Sequence, residues 1–174
     1  MNDGKAFIIN SAPGVGKSTL LKNLHLMLPD GFAVIDGDDF GRVIPYQNNI
    51  RWLNVIQDNI ADCCQNFKEY GFNNCVIGFV FPVQERLNRI RDLLNKHDFD
   101  VIHIILTCDD DIIRKRIVRR NTSRLINAEQ AAEINRQIDL LDCEIRIDTS
   151  YIDADEVSAL VKNFMEKVIM NENH

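Results

Sequence analysis

Short, continuous apolar runs alternate with longer segments whose apolar residues recur every three or four positions. The first run, Ala6 to Ile9, breaks into a loop holding Pro13, Gly14 and Gly16. Leu20, Leu21, Leu24 and Leu28 then recur at helical spacing until Pro29-Asp30-Gly31 stops them. Phe32 to Ile35 is a second unbroken run, of the kind that suits a strand buried on both faces. Leu53, Ile56, Ile60, Cys63 and Phe67 mark a long amphipathic helix ending at Gly71. A strand from Cys75 to Phe81 follows, then a helix striped by Leu87, Ile90 and Leu94, and a strand from Val101 to Leu106. The spacing predicts a basic helix from Asp109 to Arg120 and another from about Ala128 to Leu141. A last strand is expected from Glu144 to Asp148, and a closing helix striped by Val157, Leu160, Val161, Phe164 and Val168.

Five alternations of strand and helix predict an α/β fold: a five-stranded parallel sheet with helices on both faces, in three layers. Ligands of such sheets bind beyond the carboxyl ends of the strands. The loop after Ile9, the acids at Asp36, Asp38 and Asp39, and the turns after Phe81 and Asp148 should therefore share one rim. The chain of 174 residues shows no repeat or linker, so a single domain over 1–174 is expected, with a mobile appendage.

The stretch from Ser11 to Thr19 carries the most specific chemistry. A strand, a glycine-bearing loop and a helix opening at Lys17-Ser18-Thr19 form the context of a phosphate-binding P-loop. Backbone N–H groups of Ala12, Gly14, Val15 and Gly16, on a loop turned by Pro13, together with the positive helix end, converge on an anion. Lys17 reaches the terminal phosphates and Ser18 can ligate Mg²⁺. Ser11 stands where the usual pattern has its first glycine, so a reshaped opening turn is expected there.

Asp36, Asp38 and Asp39 follow the second strand directly, and a phosphoryl-transfer site needs carboxylates to hold Mg²⁺ and to accept a proton. Ordinary solvated turn acids are the alternative. Arg114, Lys115, Arg116, Arg119, Arg120 and Arg124 lie close together with no intervening acid, and Arg116 and Arg120 share a helix face. Arginines there can clamp a transferring phosphoryl group or stack on a base. Lys115, and with it Arg119, fits a solvated face, while Ile113 and Ile117 pack inward. A nucleic-acid patch is a further alternative, weakened by a net charge of −6. Three motif matches are discounted: Asp39-Phe40-Gly41, Asp38-x-x-Gly41 and Asn95-Lys-His-Asp98 lack the surrounding elements their chemistry requires. His103, inside an apolar strand, fits a satisfied core histidine better than a ligand.

Five cysteines without C-x-x-C spacing fit reduced, mostly buried thiols. The polar opening Met1 to Lys5 has no signal-peptide pattern, and no apolar run approaches the ~20 residues of a membrane span. A cytoplasmic protein is expected.

With these motifs in order, the chain resembles the small P-loop kinases of the nucleoside, nucleotide and metabolite kinase group, among them shikimate kinase, gluconate kinase, adenylylsulfate kinase and chloramphenicol phosphotransferase. The resemblance rests on the P-loop, Asp36-Gly-Asp38, Arg116-x-x-x-Arg120 and Ile147-Asp-Thr-Ser150, and spans nearly the whole chain. It implies ATP and Mg²⁺, with Asp36 holding the metal through water and Asp38 orienting or deprotonating an acceptor hydroxyl. It implies further that Arg116 lies against adenine, that Arg120 and Arg124 flank a short lid over roughly 121–127, and that Thr149 borders the base. The acceptor, a small molecule bearing a hydroxyl, would lie between Asp38, the segment from Arg42 to Trp52, and the loop from Phe81 to Arg86. Phe40, Tyr46, Trp52, Phe81, Arg42, Gln84 and Arg86 are available to meet it. A nucleoside monophosphate kinase, a polynucleotide 5′-hydroxyl kinase and a non-catalytic ATP-binding module are the alternatives; the first would use Arg42, Arg51, Arg86, Arg89 and Arg91 around a phosphate.

Overall fold

A computed structural model describes residues 4–41, 43–44, 49–120 and 126–171, with only the backbone of Arg120. Five strands, β1 (Gly4–Asn10), β2 (Phe32–Asp36), β3 (Asn74–Phe79), β4 (Phe99–Thr107) and β5 (Ile145–Asp148), form one sheet in the order β2-β3-β1-β4-β5. Every pairing is parallel. Among the described residues, six α-helices connect and close them: α1 (Lys17–Met27), α2 (Ile50–Glu69), α3 (Gln84–Asn95), α4 (Asp110–Arg120), α5 (Ala128–Asp139) and α6 (Ala154–Met170). The α/β architecture expected from the alternating pattern is therefore present.

The central strand β1 shows why both faces need cover. Every residue from Gly4 to Asn10 is buried. Phe7 and Ile9 pack into a core with α1, α5 and α6, while Ala6 and Ile8 pack into a second core with α2 and α3. Side chains alternate across a strand, so one apolar run feeds two layers of helix.

Local chemistry sets the element ends. The Asn49 side chain accepts from Trp52 N at 3.1 Å and opens α2. Gly71, at φ 91°, closes it. α5 begins with a capping box in which Asn127 and Gln130 each satisfy the other's backbone N–H. β3 ends at Phe79, two residues before the predicted Phe81, because the Phe81 backbone bonds to the Asn10 side chain rather than to the sheet. β5 starts at Ile145 and α5 stops at Asp139, each within two residues of expectation. All five cysteines are free. The neighbouring Cys75 thiol, and burial with it, push the Cys64 thiol upward, so it stays protonated and unreactive. Among the described residues, no helix is long and apolar enough to cross a membrane.

Candidate active site

The loop between β1 and α1 takes its shape from two glycines. Gly14 (φ 89°) and Gly16 (φ 130°) occupy backbone conformations that L-residues with side chains rarely adopt. A Cβ on Gly14 would also lie 3.1 Å from the Ile117 side chain of α4. Ser11 has no positive φ, so the opening turn does not require glycine at that position. Its hydroxyl is buried without a hydrogen-bond partner.

Lys17 and Ser18 open α1 facing the end of β2. Lys17 Nζ lies 3.1 Å from Asp36 Oδ1 and 3.6 Å from Asp38 Oδ2, with the lysine side chain only 8% exposed. Ser18 Oγ stands 3.5 Å from Asp36 Oδ2. Asp36 also accepts from Asp38 N at 3.2 Å, which fixes its carboxylate over the short 3₁₀ turn Gly37–Asp39. The Asp38 side chain is 64% exposed and projects outward. A buried cation thus sits between two carboxylates at the mouth of an anion-binding loop. Asp39 is exposed and forms no ion pair with Lys17 among the described residues.

Beside the loop lies a cleft of about 340 Å³. Gly14, Val15 and Thr19 form one wall, Arg116 and Arg119 of α4 another, and Thr149 and Ile152 after β5 the third. The Arg116 guanidinium donates to Val15 O (3.1 Å), Thr149 Oγ1 (3.2 Å) and Thr149 O (2.9 Å), and lies 3.4 Å from Cys108 Sγ. All of these are neutral acceptors. Arg116 is therefore oriented without being neutralised. Arg119 also lines the cleft and is exposed, as a solvated face requires.

Arg114, grouped with these from sequence, does something else. It donates to Glu129 (2.7 and 3.1 Å) and to Asp111 (2.9 Å), tying α4 to α5. Arg136 of α5 reaches back to Asp110 and to Glu133. The Arg114 hydrogen bond holds the Glu129 carboxyl below its ordinary range. Lys115 is exposed, as a solvated face requires. The Arg120 side chain, Arg124 and residues 121–125 of the expected lid over 121–127 lie outside the described residues.

On the opposite side of the rim, the expected acceptor groups divide. Phe81 is 1% exposed and packs edge-on against Phe79 at 5.2 Å, so it belongs to the core and not to an acceptor wall. Its position beyond the ladder hid this from the sequence. Phe40 and Trp52 are half-buried, and Arg42 and Tyr46 lie outside the described residues. Arg86 donates to Asn54 (2.7 Å), Arg89 to Asp58 (2.7 Å), and Gln84 to Asn88. Arg91 lies 3.7 Å from Glu144. Sequence reasoning missed Gln57, whose buried amide donates to Arg86 O at 2.7 Å; a polar residue on the apolar stripe of α2 was the available signal. The discounted Asn95–Asp98 motif lies at the amino ends of the strands, its carbonyls bonded by Lys68. No group of three or more His, Cys, Asp or Glu that could hold a metal occurs among the described residues.

Comparison with known proteins agrees with this geometry. Residues 8–142 match the family described as an AAA domain (AAA_33), and the chain belongs to that family. No protein of curated function matches it by sequence. Among solved structures, the tunicamycin resistance protein of Deinococcus radiodurans superposes with a TM-score of 0.71 at 18% identity, over 93% of this chain and 95% of that one. A gluconokinase from Sinorhizobium meliloti 1021 gives 0.67 at 12% identity, over 99% and 98%. A candidate kinase from Chloroflexus aurantiacus gives 0.62 at 18%, over 96% and 98%. The fold is that of the small P-loop kinases.

Proposed function

We propose that the chain is an ATP-dependent phosphotransferase that moves the γ-phosphoryl group of Mg·ATP to a hydroxyl of a small-molecule acceptor. The observation that carries this is the Lys17 ammonium bracketed by Asp36 and Asp38 beside a cleft bounded by Arg116 and Thr149. A loop that only bound nucleotide would have no use for an outward carboxylate at that point.

The residues present fit a magnesium ion. Mg²⁺ bound with a nucleotide takes one or two protein oxygens and completes its shell with phosphate and water. Ser18 Oγ and the Asp36 carboxylate, side by side, are the groups that would hold it. When bound, the metal neutralises charge on the phosphate oxygens. Lys17 supplies a fixed positive charge to the terminal phosphates, aided by the backbone of Ala12 to Thr19. Arg116 and Thr149 flank the base. Asp36 is committed to Ser18 and the Asp38 N–H, so the more exposed Asp38 is the group free to meet an acceptor. Its carboxylate orients the hydroxyl and takes its proton as the oxygen bonds to the γ-phosphorus. The bond from that phosphorus to the β,γ-bridging oxygen breaks, and ADP leaves. Arg120 and Arg124, from the lid, would stabilise the transferring group.

The Arg89–Asp58 pair occupies one of the arginines that a phosphate-bearing acceptor would draw on. Free cysteines and a net charge of −6 favour a reducing, cytoplasmic setting and no nucleic-acid partner. A coupled ADP-release screen tests the function, with sugars, gluconate, nucleosides, shikimate-like acids, antibiotics including tunicamycin, and nucleoside monophosphates as acceptors. Acceptor-dependent ADP release that falls about 10²-fold or more in Asp38→Asn is the expected result. Mg·ATP binding with no acceptor-dependent turnover, unchanged by Asp38→Asn, would leave a nucleotide-binding module in its place.

A further inference from the structure

Asn10 is the last residue of β1 and Ser11, its neighbour, the first of the phosphate loop. Register pairing with β3 ends at Asn10 opposite Phe79. Beyond that point the Asn10 side chain takes over from the sheet. Its Oδ1 accepts from Phe81 N at 2.9 Å, and its Nδ2 donates to Phe81 O at 2.9 Å. The same Nδ2 lies 3.2 Å from His103 Nε2. On the far side of the imidazole, His103 Nδ1 is 2.7 Å from Asp142 O. A carbonyl can only accept, so Nδ1 carries the proton and Nε2 is bare. The bare Nε2 in turn requires the NH₂ end of Asn10 to face it. Asn10, Phe81 and His103 are all essentially inaccessible to water, so this chain has one consistent set of protons and one amide orientation.

The segment beginning at Phe81 continues through Pro82 and Val83 into α3 at Gln84, along the side of the rim assigned to the acceptor. Pro82 has no N–H with which to rejoin the sheet. The Asn10 amide is thus what fastens this segment to the root of the phosphate loop. We propose that Asn10, oriented by neutral His103, is a positioning residue that sets the acceptor-side loop Phe81–Gln84 against the phosphate loop.

This rests on the phosphotransferase function above. Protonating His103 would put an N–H against the Asn10 NH₂, two donors face to face, and loosen the Phe81 clamp. The groups around the imidazole are Asp142 through its carbonyl, Glu144, whose Oε2 accepts from His103 N at 2.6 Å, and the cations Arg91 and Arg146. Burial is the main cause holding His103 below its ordinary value, so the ring stays neutral in the folded protein near pH 7.

The test uses the full chain and Mg·ATP as the nucleotide probe. In the wild type, ¹⁵N imidazole shifts should report His103 as the neutral Nδ1–H tautomer. In Asn10→Asp, a carboxylate replaces the NH₂ donor facing Nε2, and His103 should titrate at higher pH than in the wild type. In Asn10→Ala, amide exchange at Phe81 should accelerate at least tenfold while the Mg·ATP Kd changes less than threefold. With the acceptor identified by the ADP-release screen, Asn10→Ala should raise the acceptor KM at least tenfold and the ATP KM less than threefold. Should the Asn10 variants not fold, His103→Asn removes one bond of the clamp and should still speed Phe81 exchange. Unchanged Phe81 exchange in every folded variant would overturn the proposal, as would a loss of Mg·ATP affinity equal to the loss of protection. If the wild type turns over no acceptor, the proposed function falls, while the exchange and imidazole measurements still decide the link between Asn10 and Phe81.

Discussion

On the side of the sheet beside α4, Arg116 is held by carbonyls and a hydroxyl. On the side beside α2 and α3, Arg89 is held by the Asp58 carboxylate and joins α3 to α2. Both guanidinium groups are anchored and charged, but only the second faces a carboxylate that offsets its field. The same contrast recurs within α4, where Arg114 is absorbed by Glu129 and Asp111, and Arg116, two residues on, is not. A neutral anchor fixes where a cation points and leaves its field available to a ligand. Away from the phosphate loop, where Lys17 between Asp36 and Asp38 also faces the anion-binding backbone, a carboxylate anchor makes the cation part of the scaffold.

Substitutions can break this contrast, beginning with the phosphate loop. Lys17→Met removes the cation between Asp36 and Asp38, and should cut ADP release on the order of 10²–10³-fold, measured at saturating ATP. Phe81→Ala, on the acceptor side, should leave the nucleotide site intact and cost about 3–5 kcal/mol in urea denaturation, as a fully buried ring. Gly37→Ala comes next: its Cβ would meet the Phe79 ring at 2.6 Å and Ile60 at 3.0 Å. Overpacking of that kind costs about 1–3 kcal/mol, and here it would also displace the turn that carries Asp38.

Arg116→Met should raise the ATP KM about tenfold, the equivalent of roughly 1.4 kcal/mol of lost charged hydrogen bonding. Arg89→Met should leave that KM unchanged and lower Tm slightly, as expected of a partly exposed pair. If the two arginines gave the same kinetic signature, the distinction between neutral and carboxylate anchors would fail.

The pH dependence of stability offers a finer probe. His103 in the folded protein lies below its ordinary value of 6.5. Above that pH, folded and unfolded chains both carry a neutral ring and His103 contributes nothing to the slope. As pH falls below 6.5 the unfolded chain takes up the proton first, so stability is lost down to the folded value. His103→Asn should flatten this limb of a plot of urea midpoint against pH. The smallest effect belongs to the α4–α5 web: Glu129→Gln should change Tm a little at low salt and less at high salt, because Glu129 is exposed and Arg114 only half-buried.

Much of the fold was legible because a sheet covered on both faces forces unbroken apolar runs, and amphipathic helices force a three-and-four spacing. Ala6 to Ile9 and the stripe from Leu53 to Phe67 are direct records of those two requirements. The phosphate loop was legible because Gly14 and Gly16 answer a backbone need that few other residues can meet. What escaped were polar contacts between segments distant in sequence. Nothing near Phe81 announces that its backbone pairs with Asn10, seventy-one residues away, so its apolar run reads as a longer β3 with Phe81 facing the acceptor. Likewise, six basic residues in one short stretch look alike until Glu129 and the Val15 carbonyl select different members of the set.

The junction between α4 and α5 carries one more consequence. α5 starts from its own capping box at Asn127 and Gln130 and is bound to α4 through Arg114 and Glu129. Both helices are therefore held in place by contacts that lie outside the stretch joining them. That arrangement makes the junction a natural graft point. A longer, shorter or differently charged connection could be exchanged there without refolding the core.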